Sequence, residues 1–124
     1  MIILRGLKTI DDLATKLVSD KVGNKLVAVV FSTSTCAPCK VLKAAISNDL
    51  EKKYVDKVSF YVVGFEDNGD LLEEPEFNNI RAVPTVRFMR IVTVDGKKVL
   101  QISEEEVRGS NTNALCKTID ELLQ

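Results

Sequence analysis

An apolar strand that leads into a closely spaced pair of cysteines is the feature that most constrains how this chain can fold. Residues 25–31 (Lys-Leu-Val-Ala-Val-Val-Phe) are almost wholly apolar and rich in valine, which is typical of a central strand covered on both faces. Cys36 and Cys39 follow, separated by an alanine and a proline. From residue 37 or 38 to about Tyr54 the apolar residues recur at helical spacing, and a proline suits the first helical turn. The sequence therefore predicts a strand, a cysteine loop and a helix in succession.

The remainder of the chain alternates strand and helix patterns. Asp95-Gly96 is a two-residue hairpin signal, so the strands on either side of it are predicted to be antiparallel neighbours. The order β-α-β-α-β-α-β-β-α predicts an α/β fold with a central mixed five-stranded sheet, right-handed crossovers and helices on both faces. Such a sheet places its chemistry at the carboxyl end of a central strand, where Cys36 lies. The other predicted strands cover residues 1–7, 57–65, from Thr85 onward and 97–103, and the other predicted helices run from a cap at Thr9 to about Ser19, from Leu71 to Asn79 and from about Asn111 to Leu122.

Length and composition indicate one domain over residues 1–124. The chain has 124 residues, of which 45% are hydrophobic, and this is enough for a core of its own. A net charge of −1 offers no field that would hold nucleic acid or an anionic membrane. Arg5 and Lys8 interrupt the first apolar run too early for a secretory signal, and no run is long enough to cross a bilayer. We expect a soluble, cytoplasmic monomer.

The cysteine count narrows the chemistry to metal binding or redox exchange. Three cysteines are too few, and odd in number, for the disulfide framework of a secreted domain. A zinc site needs a second pair of ligands, and with no histidine and only Cys116 remaining it would need carboxylates or a second chain. We therefore expect no metal and no bound cofactor. Cys116 is expected to pack as a small hydrophobic residue, with an exposed reactive thiol as the alternative.

The spacing of the cysteine pair favours redox exchange. Two cysteines at positions i and i+3 at the start of a helix lie close enough for a disulfide, and the first faces the free N–H groups and the positive dipole end of the helix. Because these donors stabilise a thiolate, the pKa of Cys36 should be lowered. Cys36 is therefore predicted to be the nucleophile, and Cys39, one turn inside the helix, is predicted to resolve the mixed disulfide.

Three segments together resemble the thioredoxin family. They are Val-Val-Phe-Ser-Thr-Ser-Thr-Cys-Ala-Pro-Cys-Lys (29–40), Ile-Arg-Ala-Val-Pro-Thr-Val-Arg-Phe (80–88) and the turn Val-Arg-Gly-Ser-Asn (107–111) before the last helix. The resemblance covers nearly the whole chain and implies the thioredoxin fold. It also implies a thiol–disulfide oxidoreductase that reduces protein disulfides, with thioredoxin reductase or glutathione as the electron donor.

The same resemblance implies a substrate groove around the cysteines. A cis proline at Pro84 would face the disulfide loop, and the backbone of Val83 would pair with the substrate chain; the alternative is a trans proline that only opens the fourth strand. Arg108 and Gly109 would form a further wall, unless their turn is no more than a loop before the helix. The predicted substrate-binding residues are Thr35, Ala37, Pro38, Val83, Pro84, Arg108 and Gly109.

Six positions depart from the family pattern, and the mildest departure is Ala37 in place of the usual Gly. Thr35 and Ser32 stand where the family has tryptophan, which predicts a more polar groove. Arg108 stands at a commonly apolar position, which favours acidic partners or a glutathione carboxylate. Val30 replaces a buried Asp, and Val62 replaces its Lys partner. Because the usual proton acceptor for the resolving cysteine is then missing, we expect a slower resolving step, a more stable core or both.

Two other functions remain open at this point. A glutaredoxin-like reductase that depends on glutathione would share the cysteine pair, although the Gly-Gly turn typical of that group is absent. A non-catalytic thioredoxin-fold binding module would need neither cysteine.

Among the remaining features, Arg87 and Arg90 are interpreted as a device that protects a sheet edge or as a partner surface. Residues 66–70 and 103–108 are interpreted as solvated surface.

Overall fold

The computed structural model describes residues 1–124, and all five strands belong to one sheet with helices on both faces. The strands are β1 (Ile2–Leu4), β2 (Leu26–Ser32), β3 (Val58–Gly64), β4 (Thr85–Val94) and β5 (Lys97–Arg108), and the helices are α1 (Ile10–Ser19), α2 (Ala37–Ala45), α3 (Glu51–Lys53) and α4 (Thr112–Leu122). The strand order is β1-β3-β2-β4-β5. β1 and β2 run parallel to β3, whereas β4 is antiparallel to both β2 and β5. This arrangement confirms the predicted fold class.

Side-chain caps begin the first and the last helix. At α1 the Thr9 hydroxyl accepts from the Asp12 N–H, and the Asp12 carboxylate accepts from the Thr9 N–H, so each side chain satisfies a donor that the helix leaves free. At α4 the Asn111 side chain accepts from the Ala114 N–H. Both helices therefore start where the sequence predicts.

β2 lies between two apolar clusters and is buried along its whole length. On one face Ala28 and Val30 pack with residues of α2 and α4, and on the other face Val29 and Phe31 pack with residues of α1. A strand covered on both faces needs apolar side chains at every position. The prediction of a central strand is confirmed, and this strand carries the cysteine loop at its end.

The helix after the cysteines changes its winding before it ends. α2 passes into a π-helical turn at Ile46–Leu50 and then into α3, so the helical stretch stops close to the predicted limit at Tyr54. Ile46 and Leu50 stay buried in the core through this change. None of the helices combines the length and the apolar composition that crossing a membrane requires.

The helix predicted from Leu71 to Asn79 is wrong. Only Leu71–Glu73 forms a 3-10 turn, and irregular turns follow. Pro75 explains the difference, because a residue before proline is pushed out of the helical conformation. Glu74 accordingly has ψ of 140°, which is extended backbone. The segment still buries Leu71 and Phe77 against the β2 face that packs on α1.

The hairpin of β4 and β5 is longer than predicted. Asp95 and Gly96 have φ of 52° and 78°, in agreement with the predicted two-residue turn. β5 continues to Arg108, and a register shift just after Arg87 accommodates its extra residues. The segment 103–108, interpreted as solvated surface, belongs to this strand; Glu104, Glu105 and Arg108 are exposed in it, and Val107 is buried. Arg87 pairs with Val29 of β2 and with Glu106 of β5, so it does not protect a sheet edge and that interpretation is wrong for this residue. Arg90 lies one residue beyond the part of β4 that pairs with β2, so its role at an edge stays a prediction.

Candidate active site

The cysteine pair lies just beyond the carboxyl end of β2 and forms a disulfide, with Cα atoms 5.2 Å apart. Cys36 directly precedes α2, and its sulfur accepts a hydrogen bond from the Cys39 N–H at 3.1 Å. The Lys40 N–H donates to the Cys36 carbonyl at 3.3 Å. Pro38 lies in this first turn, where its missing N–H costs no helical hydrogen bond. The predicted disulfide-forming pair at a helix start is confirmed.

The two sulfurs differ in their access to a substrate. Cys39 is fully buried, whereas Cys36 is half-buried and the intervening Ala37 and Pro38 are exposed. An incoming disulfide can therefore reach Cys36, while Cys39 is left to react with the sulfur beside it. The N–H groups at the start of α2 favour negative charge on the outer sulfur. The arrangement is suited to thiol–disulfide exchange.

The segment before β4 contains a cis peptide bond between Val83 and Pro84. Pro84 is buried and Val83 is half-buried. The Thr85 hydroxyl donates to the Ala82 carbonyl at 2.7 Å, and Thr85 pairs with Phe31 near the end of β2. The predicted cis bond is confirmed, the trans alternative is wrong, and the segment lies beside the strand that leads to the cysteines.

The turn after β5 is bonded to this segment. The Gly109 N–H donates to the Pro84 carbonyl at 2.8 Å, and Arg108 pairs with Thr85 across the sheet. Gly109 has φ of 87°, a left-handed conformation that favours glycine. The structure therefore brings Pro84, Arg108 and Gly109 together, and their role as groove walls stays a prediction.

The Arg108 side chain is 69% exposed and forms an ion pair with Glu106 at 2.7 Å. Because this carboxylate offsets part of the guanidinium charge, an acidic substrate would have to compete with it. The preference for acidic partners stays a prediction. Reduction of an acidic and a neutral peptide disulfide by Arg108→Ala measures it, and an equal change for both peptides would count against it.

One residue beside the cysteine loop was not predicted to matter. Glu66, in a 3-10 turn after β3, accepts hydrogen bonds from the Ser34 N–H and from the Ser34 hydroxyl, each at 2.9 Å. These bonds, the one from the N–H above all, hold the pKa of Glu66 below its ordinary value. The parallel pairing of β2 with β3 is the feature that could have indicated this contact. Ser32 pairs with Gly64 at the ends of the two strands, and Ser34 and Glu66 each lie two residues further along the chain.

Val30 and Val62 pair with each other in neighbouring strands, and both are buried. None of the buried polar residues of the chain is an acid; they are Ser32, Asn68, Thr85 and Arg87. The proton acceptor for Cys39 is therefore not a buried carboxylate. The reaction has to use water, Cys36 or a group of the substrate instead.

Cys116 is a free thiol on α4. It is half-buried and packs against the cluster that contains Leu115 and Ile119, so its predicted role as a small hydrophobic residue is confirmed. No three His, Cys, Asp or Glu side chains lie together in a way that could hold a metal ion.

Comparison with known proteins places this geometry in one family. The family model described as thioredoxin matches residues 10–121. Rabbit (Oryctolagus cuniculus) thioredoxin is 36% identical over 106 residues, which cover 86% of this chain and 88% of the relative. Thioredoxin H4 of Arabidopsis thaliana is 32% identical over 94 residues, which cover 76% of each chain.

Solved structures agree with the sequence matches. Trichomonas vaginalis thioredoxin superposes with a TM-score of 0.73 at 18% identity and covers 98% of this chain and 96% of its own. The Nicotiana alata thioredoxin NaTrxh has a TM-score of 0.67 at 28% identity, over 97% of this chain and 90% of its own. The Trichomonas structure supports the fold. The family match over residues 10–121 and the sequence relatives, together with the Cys36–Cys39 disulfide, show a dithiol–disulfide oxidoreductase that reduces protein disulfides and is itself reduced by a reductase partner. This chain belongs to the thioredoxin family.

Proposed function

We propose that Cys36 attacks the substrate disulfide and that Cys39 resolves the intermediate. The difference in exposure carries this assignment, since Cys36 is half-buried at the start of α2 and Cys39 is fully buried. A buried sulfur cannot meet a disulfide on another protein, but it can attack a bond that the neighbouring sulfur has formed.

The reaction proceeds in two exchanges. The Cys36 thiolate bonds to one substrate sulfur, the substrate disulfide breaks, and the departing thiolate takes up a proton. Cys39 then loses its proton and bonds to Cys36, which releases the second substrate sulfur as a thiol. The substrate gains two electrons and two protons overall, and the protein is left with the Cys36–Cys39 disulfide, which an external reductase returns to the dithiol.

We propose that the substrate chain lies along Thr35, Ala37 and Pro38 and pairs with the backbone of Val83. All three loop residues are exposed. The Val83 N–H and carbonyl have no hydrogen-bond partner in the chain, which leaves them free to bind an extended substrate segment. Arg108 and Gly109 would then contact the substrate from the side of β5.

We propose thioredoxin reductase as the electron donor and the cytoplasm as the location. Three cysteines are too few for the disulfide framework of a secreted domain, which favours a reducing compartment. Ser110 follows Gly109, so the Gly-Gly turn of glutaredoxins is absent, which makes glutathione the second candidate.

Trapping experiments test the assignment of the two cysteines. In a Cys116→Ser background, Cys39→Ser should accumulate a mixed disulfide between Cys36 and a substrate, because the resolving thiol is gone. Cys36→Ser should form none, and the background protein serves as the control. Equal trapping by both variants would contradict the assignment.

Kinetics with purified donors test the electron source. The oxidised protein should be reduced by NADPH and a thioredoxin reductase far faster than by glutathione at millimolar concentration. Faster reduction by glutathione would support the glutaredoxin-like alternative instead.

A further inference from the structure

We propose that Glu66 positions the loop that presents Cys36, and that it does so by holding Ser34. The proposal deepens the function proposed above, because it rests on Cys36 being the nucleophile. Glu66 contacts no reacting atom in this account and acts only through Ser34, so it is a positioning residue.

The loop has no apolar anchor of its own. Ser32 and Cys39 are buried, but every side chain between them is half-buried or exposed. The chain has no tryptophan, and the serine and threonine at residues 32 and 35 offer little apolar surface for packing. The position of the loop must therefore come from hydrogen bonds.

Only one contact from outside the loop and its helix supplies such bonds. Residues 33–36 form a turn whose own closing bond, from the Cys36 N–H to the Thr33 carbonyl, is long at 3.5 Å. Ser34 lies inside this turn and makes the two 2.9 Å bonds to Glu66. Bonds to a carboxylate are shorter and stronger than those between neutral groups, so Glu66 is the main constraint on the turn.

Glu66 is itself held in place. It lies two residues after the end of β3, and the parallel pairing of Ser32 with Gly64 sets its distance from the loop. Lys43 of α2 lines the same small cavity as Ser34 and Glu66, and its charge helps to lower the pKa of the Glu66 carboxyl. The carboxylate thus stays ionised at neutral pH.

Positioning and charge act on Cys36 in opposite directions. The thiolate is stabilised when its sulfur lies near the Cys39 N–H, 3.1 Å away, and a loose turn would reduce the time spent in this geometry. A carboxylate close to a thiolate disfavours it by repulsion, so removing a negative charge alone would favour the thiolate. The direction of the change on mutation therefore separates the two effects.

The test measures the pH dependence of Cys36 alkylation in the reduced protein, with modification located by mass. Glu66→Ala removes the bonds and the charge, whereas Glu66→Gln removes only the charge and keeps an acceptor for Ser34. Asp67→Ala is the matched control, because Asp67 is an exposed acid in the same turn whose carboxylate makes no hydrogen bond. Urea unfolding checks that each variant is folded.

We expect Glu66→Ala to move the midpoint of the pH profile upward and to slow alkylation at pH 7 by about threefold. Glu66→Gln and Asp67→Ala should leave the midpoint in place or move it slightly downward. Ser34→Ala, which keeps its N–H bond, should shift it upward by less than Glu66→Ala.

A midpoint that moves downward in Glu66→Ala, or does not move, would overturn the proposal, since Glu66 would then act as a charge or not at all. A failure of the proposed function, in which Cys36 is the nucleophile, would be seen differently. If Cys36 of the parent protein is not the thiol that reacts first, the assignment of the nucleophile fails before any variant is compared.

Discussion

Val30 is a single side chain that affects both the core and the proton transfer. It is fully buried in β2 and packs only in an apolar cluster, at the position where the family carries a buried acid. A carboxylate there would lose its hydration, and burial would raise its pKa. The chain gains packing at this position and gives up a local base for Cys39.

Val30→Asp should destabilise the protein by about 3 kcal/mol at pH 8 and by less at pH 5. A buried Asp has a folded-state pKa above its unfolded value of about 4, so stability falls as the pH rises from that value through the folded-state pKa. Urea unfolding at the two pH values measures this difference. Val30→Ala is the control, since it removes volume but adds no titrating group and should lose the same amount at both pH values. If the loss of stability in Val30→Asp were the same at both pH values, it would contradict the burial of this site.

Two arginine side chains of β4 bind backbone carbonyls in segments that are distant in the sequence. Arg87 is only 8% exposed and donates to the Glu76 carbonyl at 3.2 Å. Arg90 donates to the carbonyls of Asn24 and Leu122 at 3.0 and 2.9 Å. The bond to Leu122 satisfies a carbonyl at the end of α4 and places a cation at the negative end of its dipole. The two arginines therefore fix loops and a helix end to β4.

The connection between α1 and β3 should depend on pH through Asp20. Its carboxylate accepts from Lys16 and from the Tyr61 hydroxyl, at 2.9 and 2.8 Å, and these bonds, the one from Lys16 first, lower the pKa of Asp20. The stability that they add is present above the ordinary Asp pKa of about 4 and is lost as the pH falls through the folded-state value. Because solvent screens the pair, we expect less than about 1 kcal/mol.

Urea midpoints of the parent protein and of Asp20→Asn between pH 6 and pH 3 measure this contribution. The parent should lose more stability than the variant over this range, and Tyr61→Phe, which keeps the Lys16 bond, should lie between them. Parallel curves for the parent and Asp20→Asn would rule out the contribution of Asp20.

Local patterns predicted most of the elements, and the two misses have different causes: one is a proline within an apolar pattern, and the other is a contact made through the sheet. The β2 apolar run, the cysteine spacing and the segment around Pro84 are each read within a dozen residues, and all three predictions agree with the structure. The helix expected from Leu71 to Asn79 failed because Pro75 outweighs apolar spacing. Glu66 was not identified because its partner, Ser34, is close only through the pairing of β2 with β3.

At the scale of the whole molecule, β2 joins the two apolar clusters into one structure. Alternate residues of this strand face opposite sides, with Val30 in the cluster under α2 and α4 and Val29 in the cluster under α1. Neither cluster can lose its packing without uncovering β2, which also supplies pairing partners for β3 and β4. We therefore expect residues 1–124 to unfold in one cooperative step.

The two tyrosines allow each cluster to be observed separately. The chain has no tryptophan; Tyr54 lies in the α2 and α4 cluster, and Tyr61 lies in the α1 cluster. Tyr61→Phe leaves Tyr54 as the only reporter, and Tyr54→Phe leaves Tyr61. Each variant loses a hydroxyl bond, to Asp20 or to Asp120, and should lose about 1 kcal/mol. Because the substitutions change stability, tyrosine fluorescence is compared with circular dichroism within each variant, and not between variants.

In urea, the tyrosine fluorescence and the far-ultraviolet circular dichroism of each reduced variant should superimpose on one transition. Circular dichroism reports the whole backbone, whereas fluorescence reports one face of the sheet, so coincidence in both variants means that the two faces unfold together. If the α1 cluster were the weaker unit, Tyr61 fluorescence would change before the circular dichroism, and Tyr54 fluorescence would change after it. That order would divide the chain into two folding units and would contradict a single domain built on β2.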